Sequence, residues 1–69
     1  MRLSDKQKDT LENVYIAGAA EKFIPKIFLL GQMFTRFLAF GFIQTDKEQF
    51  KLSPLGIEYA HKAFNEQRS

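Results

Sequence analysis

The sequence predicts an α+β fold in which several helices pack around one β-hairpin. Three observations carry this expectation. Apolar residues recur at helical spacing near both ends of the chain. Two short runs, Phe42-Ile43-Gln44-Thr45 and Gln49-Phe50-Lys51-Leu52, flank the polar stretch Asp46-Lys47-Glu48. Gly or Pro punctuates the junctions between segments. A lone hairpin is not stable in water, so this one must lie against the helices.

The first helix is expected over residues 5–17. Ser4-Asp5-Lys6-Gln7 reads as a capping box, with Asp5 in the first turn where the helix dipole favours an acid. Leu11, Val14, Tyr15 and Gly18 form one buried stripe, with Lys8, Asp9 and Glu12 off it and Gly18 as the stop. Lys22-Phe23-Ile24 reads as a short extended segment, because Pro25 biases the residue before it away from helix. The same Pro suits the first position of a second, short helix over residues 25–30. Gly31 then supplies a turn. A third helix is expected over 32–40, with Phe34, Phe37, Leu38 and Gly41 on its apolar face and Gln32, Thr35, Arg36 and Ala39 on the other. The hairpin spans 42–52, with Phe50 and Leu52 on one strand face and Gln49 and Lys51 on the opposite one. Ser53 as cap and Pro54 at the first helical position open the last helix, over 54–65. Its stripe is Ile57, Ala60 and Phe64, flanked by Tyr59 and Ala63, and the tail from Asn65 to Ser69 is expected to fray.

Length and composition exclude much. Sixty-nine residues make one domain, 1–69, whose core is marginal for its size. With no Cys, disulfides and thiolate zinc sites are excluded, and a lone His61 cannot build a histidine metal cluster. Dense packing or oligomerisation must serve instead, and eight Phe suit either. The net charge of +2 is a mild bias that permits nucleic-acid binding without demanding it. The polar amino terminus, Met1-Arg2-Leu3-Ser4-Asp5-Lys6, predicts no signal peptide. The apolar run from Ile27 to Ile43 is interrupted by Gln32, Thr35 and Arg36, which argues against a membrane span. A cytoplasmic location is expected. No nucleophile with a base, paired acids, phosphate loop or metal spacing is visible, so the chain is read as a non-enzyme with no cofactor and no metal. His61 reads as a surface residue within reach of Glu58.

Two stretches carry a family likeness. Phe37-Leu38-Ala39-Phe40-Gly41-Phe42-Ile43 resembles the end of a recognition helix leading into a wing, and Phe50-Lys51-Leu52-Ser53-Pro54-Leu55-Gly56 resembles the exit from that wing into a final helix. Together with the element order, they make the chain similar to the winged helix-turn-helix transcription regulators. Such wing exits are common in bacterial regulators of the multiple-antibiotic-resistance and phenolic-acid-repressor types. The resemblance implies a small homodimeric regulator of double-stranded DNA, with the third helix in the major groove and the wing along the backbone. It makes Gln32, Thr35, Arg36 and Ala39 the base-reading face: Arg to guanine, Gln to adenine, the Ala methyl to a thymine methyl. Lys47, Gln49 and Lys51 are the wing contacts, with Arg2, Lys6 and Lys8 as further phosphate contacts. The alternative for each set is a solvated polar or mixed-charge surface.

Phe23, Phe28, Met33, Phe40 and Phe42 are more apolar side chains than one small core obviously needs. They are either core or interface. Met33 and Phe40 border the apolar face of the third helix, and Tyr59 and Phe64 stand where terminal helices of such regulators dimerise. The Phe-rich middle and the diluted wing charge motivate a second reading. In it the winged helix is a protein–protein module, such as a mobile-element or phage-type inhibitor of a host factor, without DNA binding.

Overall fold

The computed structural model describes residues 2–29 and 31–68, and the side chains of all of these but Gln67 and Arg68. In chain order it contains α1 (Asp5–Val14), a π-helical turn (Tyr15–Ala19), β1 (Ile24–Pro25), a 3-10 turn (Lys26–Phe28), α2 (Gly31–Phe40), β2 (Ile43–Asp46), β3 (Gln49–Leu52) and α3 (Pro54–Arg68). The architecture is α+β, three helices with a three-stranded antiparallel sheet of order β1-β3-β2. This layout is compatible with a winged helix.

The capping box opens α1 as expected. The Gln7 amide donates to Ser4 Oγ at 3.2 Å and the Ser4 amide donates to Gln7 Oε1 at 2.9 Å. Leu11 and Val14 are buried, and Tyr15 is half-buried. Glu12, expected off the buried stripe, is only 8% exposed. The helix does not stop at residue 17. It widens into the π turn, and Gly18, at φ +106°, ends it in a conformation that L side chains rarely adopt.

The expected second helix is absent as an α-helix. Pro25 holds φ −58°, ψ 144° and extends β1 by pairing with Gln49, while the Lys26 amide donates to the Glu48 carbonyl at 2.9 Å. Sheet pairing therefore takes the residues that a helix start would use. Pro is tolerated because β1 is an edge strand. Only one 3-10 turn follows, closed by the Leu29 amide on the Lys26 carbonyl at 2.9 Å. The expected end of that helix, Leu30, lies outside the described residues, as do the domain ends Met1 and Ser69.

The helix α2 ends in a Schellman motif. Gly41 takes φ +80°, its amide donates to the Leu38 carbonyl (3.1 Å), and the Phe42 amide donates to the Phe37 carbonyl (2.9 Å). Phe37 is buried and Phe34 half-buried, but Leu38, expected on the apolar face, is 47% exposed. The hairpin closes through a two-residue turn at Lys47-Glu48, with Asp46 paired to Gln49. Phe50 and Leu52 are both buried on one strand face, as their alternation predicts.

Ser53 caps α3, accepting from the Gly56 amide at 3.1 Å. The helix continues through Arg68 rather than fraying from residue 65. Contacts with α1 and the π turn hold its last turns: the Phe64 ring lies edge-on to Tyr15 at 5.5 Å, and Lys8 of α1 pairs with Glu66.

The core joins all layers. Leu11 and Val14 from α1, Phe37 from α2, Phe50 from β3 and Phe42, which links α2 to β2, are its largest fully buried side chains. Phe42 is the hub, with ring centroids 5.7 Å from Phe37, 5.4 Å from Phe40 and 4.9 Å from Tyr59.

Candidate nucleic-acid interface

The 10 residues of α2 divide by face. The helix buries Phe37 and half-buries Met33, Phe34 and Phe40, which fixes its rotation against the sheet. Gln32, Thr35, Arg36 and Ala39 are left exposed, Thr35 and Arg36 each standing three or four residues from Gln32 and from Ala39. Gln32, Thr35 and Arg36 line one shallow, open depression. The expected base-reading residues are thus brought together on one accessible ridge. A planar guanidinium, a side-chain amide and a hydroxyl side by side can donate to or accept from the edges of bases.

The Schellman turn at Gly41 directs the chain from α2 straight into the hairpin. At its tip Lys47 and Gln49 are exposed, flanked by exposed Asp46 and Glu48. Lys51 differs from them. It is half-buried, with its ammonium 5.0 Å from the centre of the Phe23 ring. Half-burial makes it less accessible to a phosphate than the exposed Lys47.

Lys26 was missed from the sequence, where it fell inside the expected second helix. It stands on the 3-10 turn between the other two parts of this surface. Its amide donates to the Glu48 carbonyl at the hairpin tip, and its ammonium lies 5.4 Å from the centre of the Phe34 ring on α2. Nothing in its local sequence signals this. It depends on the pairing of β1 with β3.

Met33, Phe40, Tyr59 and Phe64, expected as interface candidates, are half-buried and face inward contacts. The first three pack against the core, and Phe64 packs on Tyr15. The exposed apolar surface sits elsewhere, at Ile16 (71% exposed), Ile27 (71%), Phe28 (55%), Leu38 and Leu55. Phe42, counted among the surplus aromatics, is fully buried core.

His61 is exposed, and it meets Tyr15 rather than the local Glu58. Tyr15 Oη, in the π turn, and His61 Nε2, on α3, are 2.9 Å apart, with the rings edge-on at 5.2 Å. Among the described residues no group of three or more His, Cys, Asp and Glu side chains is placed to hold a metal ion, and no helix is long and apolar enough to cross a membrane.

The two stretches that carried the family likeness meet in space. The Ser53 amide donates to the Phe42 carbonyl at 2.8 Å, and the Ser53 hydroxyl donates to the Gly41 carbonyl at 2.6 Å. Gly56 lies so close to the Phe42 carbonyl that a Cβ there would overlap its oxygen. The end of α2 and the start of α3 thus form one clasp, which sets where α2 stands relative to the hairpin. No protein-family model, curated protein or solved structure matches the chain.

Proposed function

We propose that this chain is a duplex-DNA-binding module of winged-helix layout, acting as a small transcription regulator. One observation carries the reading: Gln32, Thr35, Arg36 and Ala39 are all exposed along one ridge of α2, the helix that leads directly into the hairpin. In this reading α2 enters the major groove with Arg36 aimed at a guanine edge, while Lys47, Gln49 and Lys26 approach the phosphates. The acids at the hairpin tip limit the electrostatic contribution, so binding depends on few phosphate contacts and has a shallow salt dependence. A homodimer belongs to the proposal. Its two α2 helices read half-sites about one helical turn apart, and sedimentation at working concentration checks the assembly.

The test is a fluorescence-anisotropy titration of a selected duplex from a random pool, at two salt concentrations. Arg36→Ala is expected to weaken binding to the selected duplex by about 1–3 kcal/mol and to flatten preference at one base position. Absence of any duplex affinity at low salt refutes the reading.

A second reading is supported by the exposed Ile27 and Phe28 on the 3-10 turn and Leu38 on α2. Exposed apolar residues of this size beside α2 suit a protein partner, with aromatic anchors at its centre. This reading gains if Phe28→Ser abolishes a stoichiometric protein complex while the duplex titration stays flat.

A further inference from the structure

On the side formed by α1 and α3, the surface folds inward into a cleft of about 510 Å³. Arg2 and Leu3 from the N-terminal segment, Lys8 from α1, and Tyr59, Lys62 and Glu66 from α3 line it. No residue of α2 or the hairpin contributes. The lining holds three cations and one carboxylate, an excess of two positive charges. That equals the formal net charge of the whole chain, +2, so the other seven basic and seven acidic residues cancel. The cleft thus carries a local positive excess in a concave place, which attracts an anion.

The cations differ in their commitments. Lys8 is paired with Glu66. Lys62 is held by the Tyr59 ring, 4.9 Å from its centre, and neither it nor Arg2 has an ion pair among the described residues. Arg2 offers a planar fork and Lys62 a point charge, the two complementary ways in which proteins hold a phosphate. Leu3, only 9% exposed, adds an apolar side chain to the lining.

We propose that this cleft binds a small phosphate monoester. The phosphate, with close to two negative charges at neutral pH, meets Arg2 and Lys62 and competes with Glu66 for Lys8. The organic group fills the remaining space over Leu3. Occupancy ties the N-terminal segment, α1 and α3 together and stabilises the native state in proportion to ligand concentration. The proposal does not rest on the DNA-binding reading: α2 and the hairpin contribute no residue to the cleft, and Arg2 and Lys8, expected from the sequence as further DNA phosphate contacts, line the cleft on the α1–α3 side instead.

The experiment titrates the full chain with phenyl phosphate at constant ionic strength, following backbone amide shifts by NMR, with sodium chloride and duplex DNA as parallel arms. The expected result is saturable binding with shifts centred on Arg2, Lys62 and their neighbours. Arg2→Gln and Lys62→Gln each weaken it at least threefold and together at least tenfold, while Glu66→Gln strengthens it. Lys47→Gln, the same loss of charge at the hairpin tip, leaves phenyl phosphate affinity unchanged, and Lys62→Gln leaves duplex affinity unchanged. Three results overturn the proposal: no saturation, equal weakening by Lys47→Gln and Lys62→Gln, or a Lys62→Gln effect on the duplex arm alone. The last would make the cleft part of a nucleic-acid surface.

Discussion

Gly56 and Lys47 show how single residues set local geometry, and each yields a prediction. Gly56 has an ordinary backbone, yet a methyl group there would run into the Phe42 carbonyl and reach 3.1 Å from Leu52 Cδ2. Backbone cannot yield as a flexible side chain does, so Gly56→Ala forces α3 away from the α2–β2 junction. The expected cost is about 1–3 kcal/mol, read as a lower urea midpoint with an unchanged slope. Lys47 presents the opposite case. It holds φ +56° at the first central position of the hairpin turn, where the favoured two-residue turns need positive φ and Gly, Asn or Asp is the usual residue. Lys47→Gly is expected to stabilise the fold by about 1 kcal/mol, a rise in Tm of several degrees in a thermal melt. A fall in Tm would mean that the Lys47 side chain makes a contact worth more than the backbone strain it imposes. Glu12 and Leu38 are residues that periodicity misplaced. A strict helical stripe leaves Glu12 off the apolar face of α1 and puts Leu38 on that of α2, yet Glu12 is 8% and Leu38 47% exposed in the folded chain.

At the scale of elements, local chemistry was legible wherever one segment's own groups satisfy its ends. The Ser4–Gln7 box, the Gly18 and Gly41 stops and the Ser53-Pro54 start could be read because each is closed by residues within a few positions. The second helix was not legible for the converse reason. Pro25 is equally suited to a helix start and to an extended edge, and a partner more than twenty positions away, Gln49, decides between them. The tail of α3 is not legible for the same reason, since its last turns are held by Tyr15 in the π turn and Lys8 on α1. The candidate interface divides along the same line. The ridge of Gln32, Thr35, Arg36 and Ala39 follows from helical spacing alone, so all four appear where expected. Lys26 and the stacked state of Lys51 depend on where β1 lies, and spacing says nothing of that. The shallow salt dependence proposed for DNA binding belongs to the hairpin element. Lys47→Gln should reduce the slope of log affinity against log salt by about one, while Lys51→Gln, starting from a half-buried side chain, should change it less.

For the whole molecule, Phe42 joins what the chain order separates. Its ring meets Phe37, Phe40 and Tyr59, and its backbone anchors Ser53 and abuts Gly56. Phe42→Ala is expected to cost about 3–5 kcal/mol, a large part of the stability available to so small a domain. Because helices and sheet share this hub, far-UV circular dichroism and tyrosine fluorescence should report one coincident melt in the wild-type chain. Separate transitions would show that the α1–α3 pair, marked by Tyr15, unfolds independently of the hairpin. By itself the sequence determined the α+β class, the caps and stops of most elements, the alternation of the hairpin and the exposed ridge of α2, since all of these follow from groups near one another along the chain. Only the tertiary structure decided that Pro25 extends a strand, that the α2 exit and the α3 entry form one clasp, and that Arg2, Lys8 and Lys62 converge on one cleft. Those outcomes depend on contacts between distant segments, whose relative placement is set by burying the shared aromatic core rather than by any local preference.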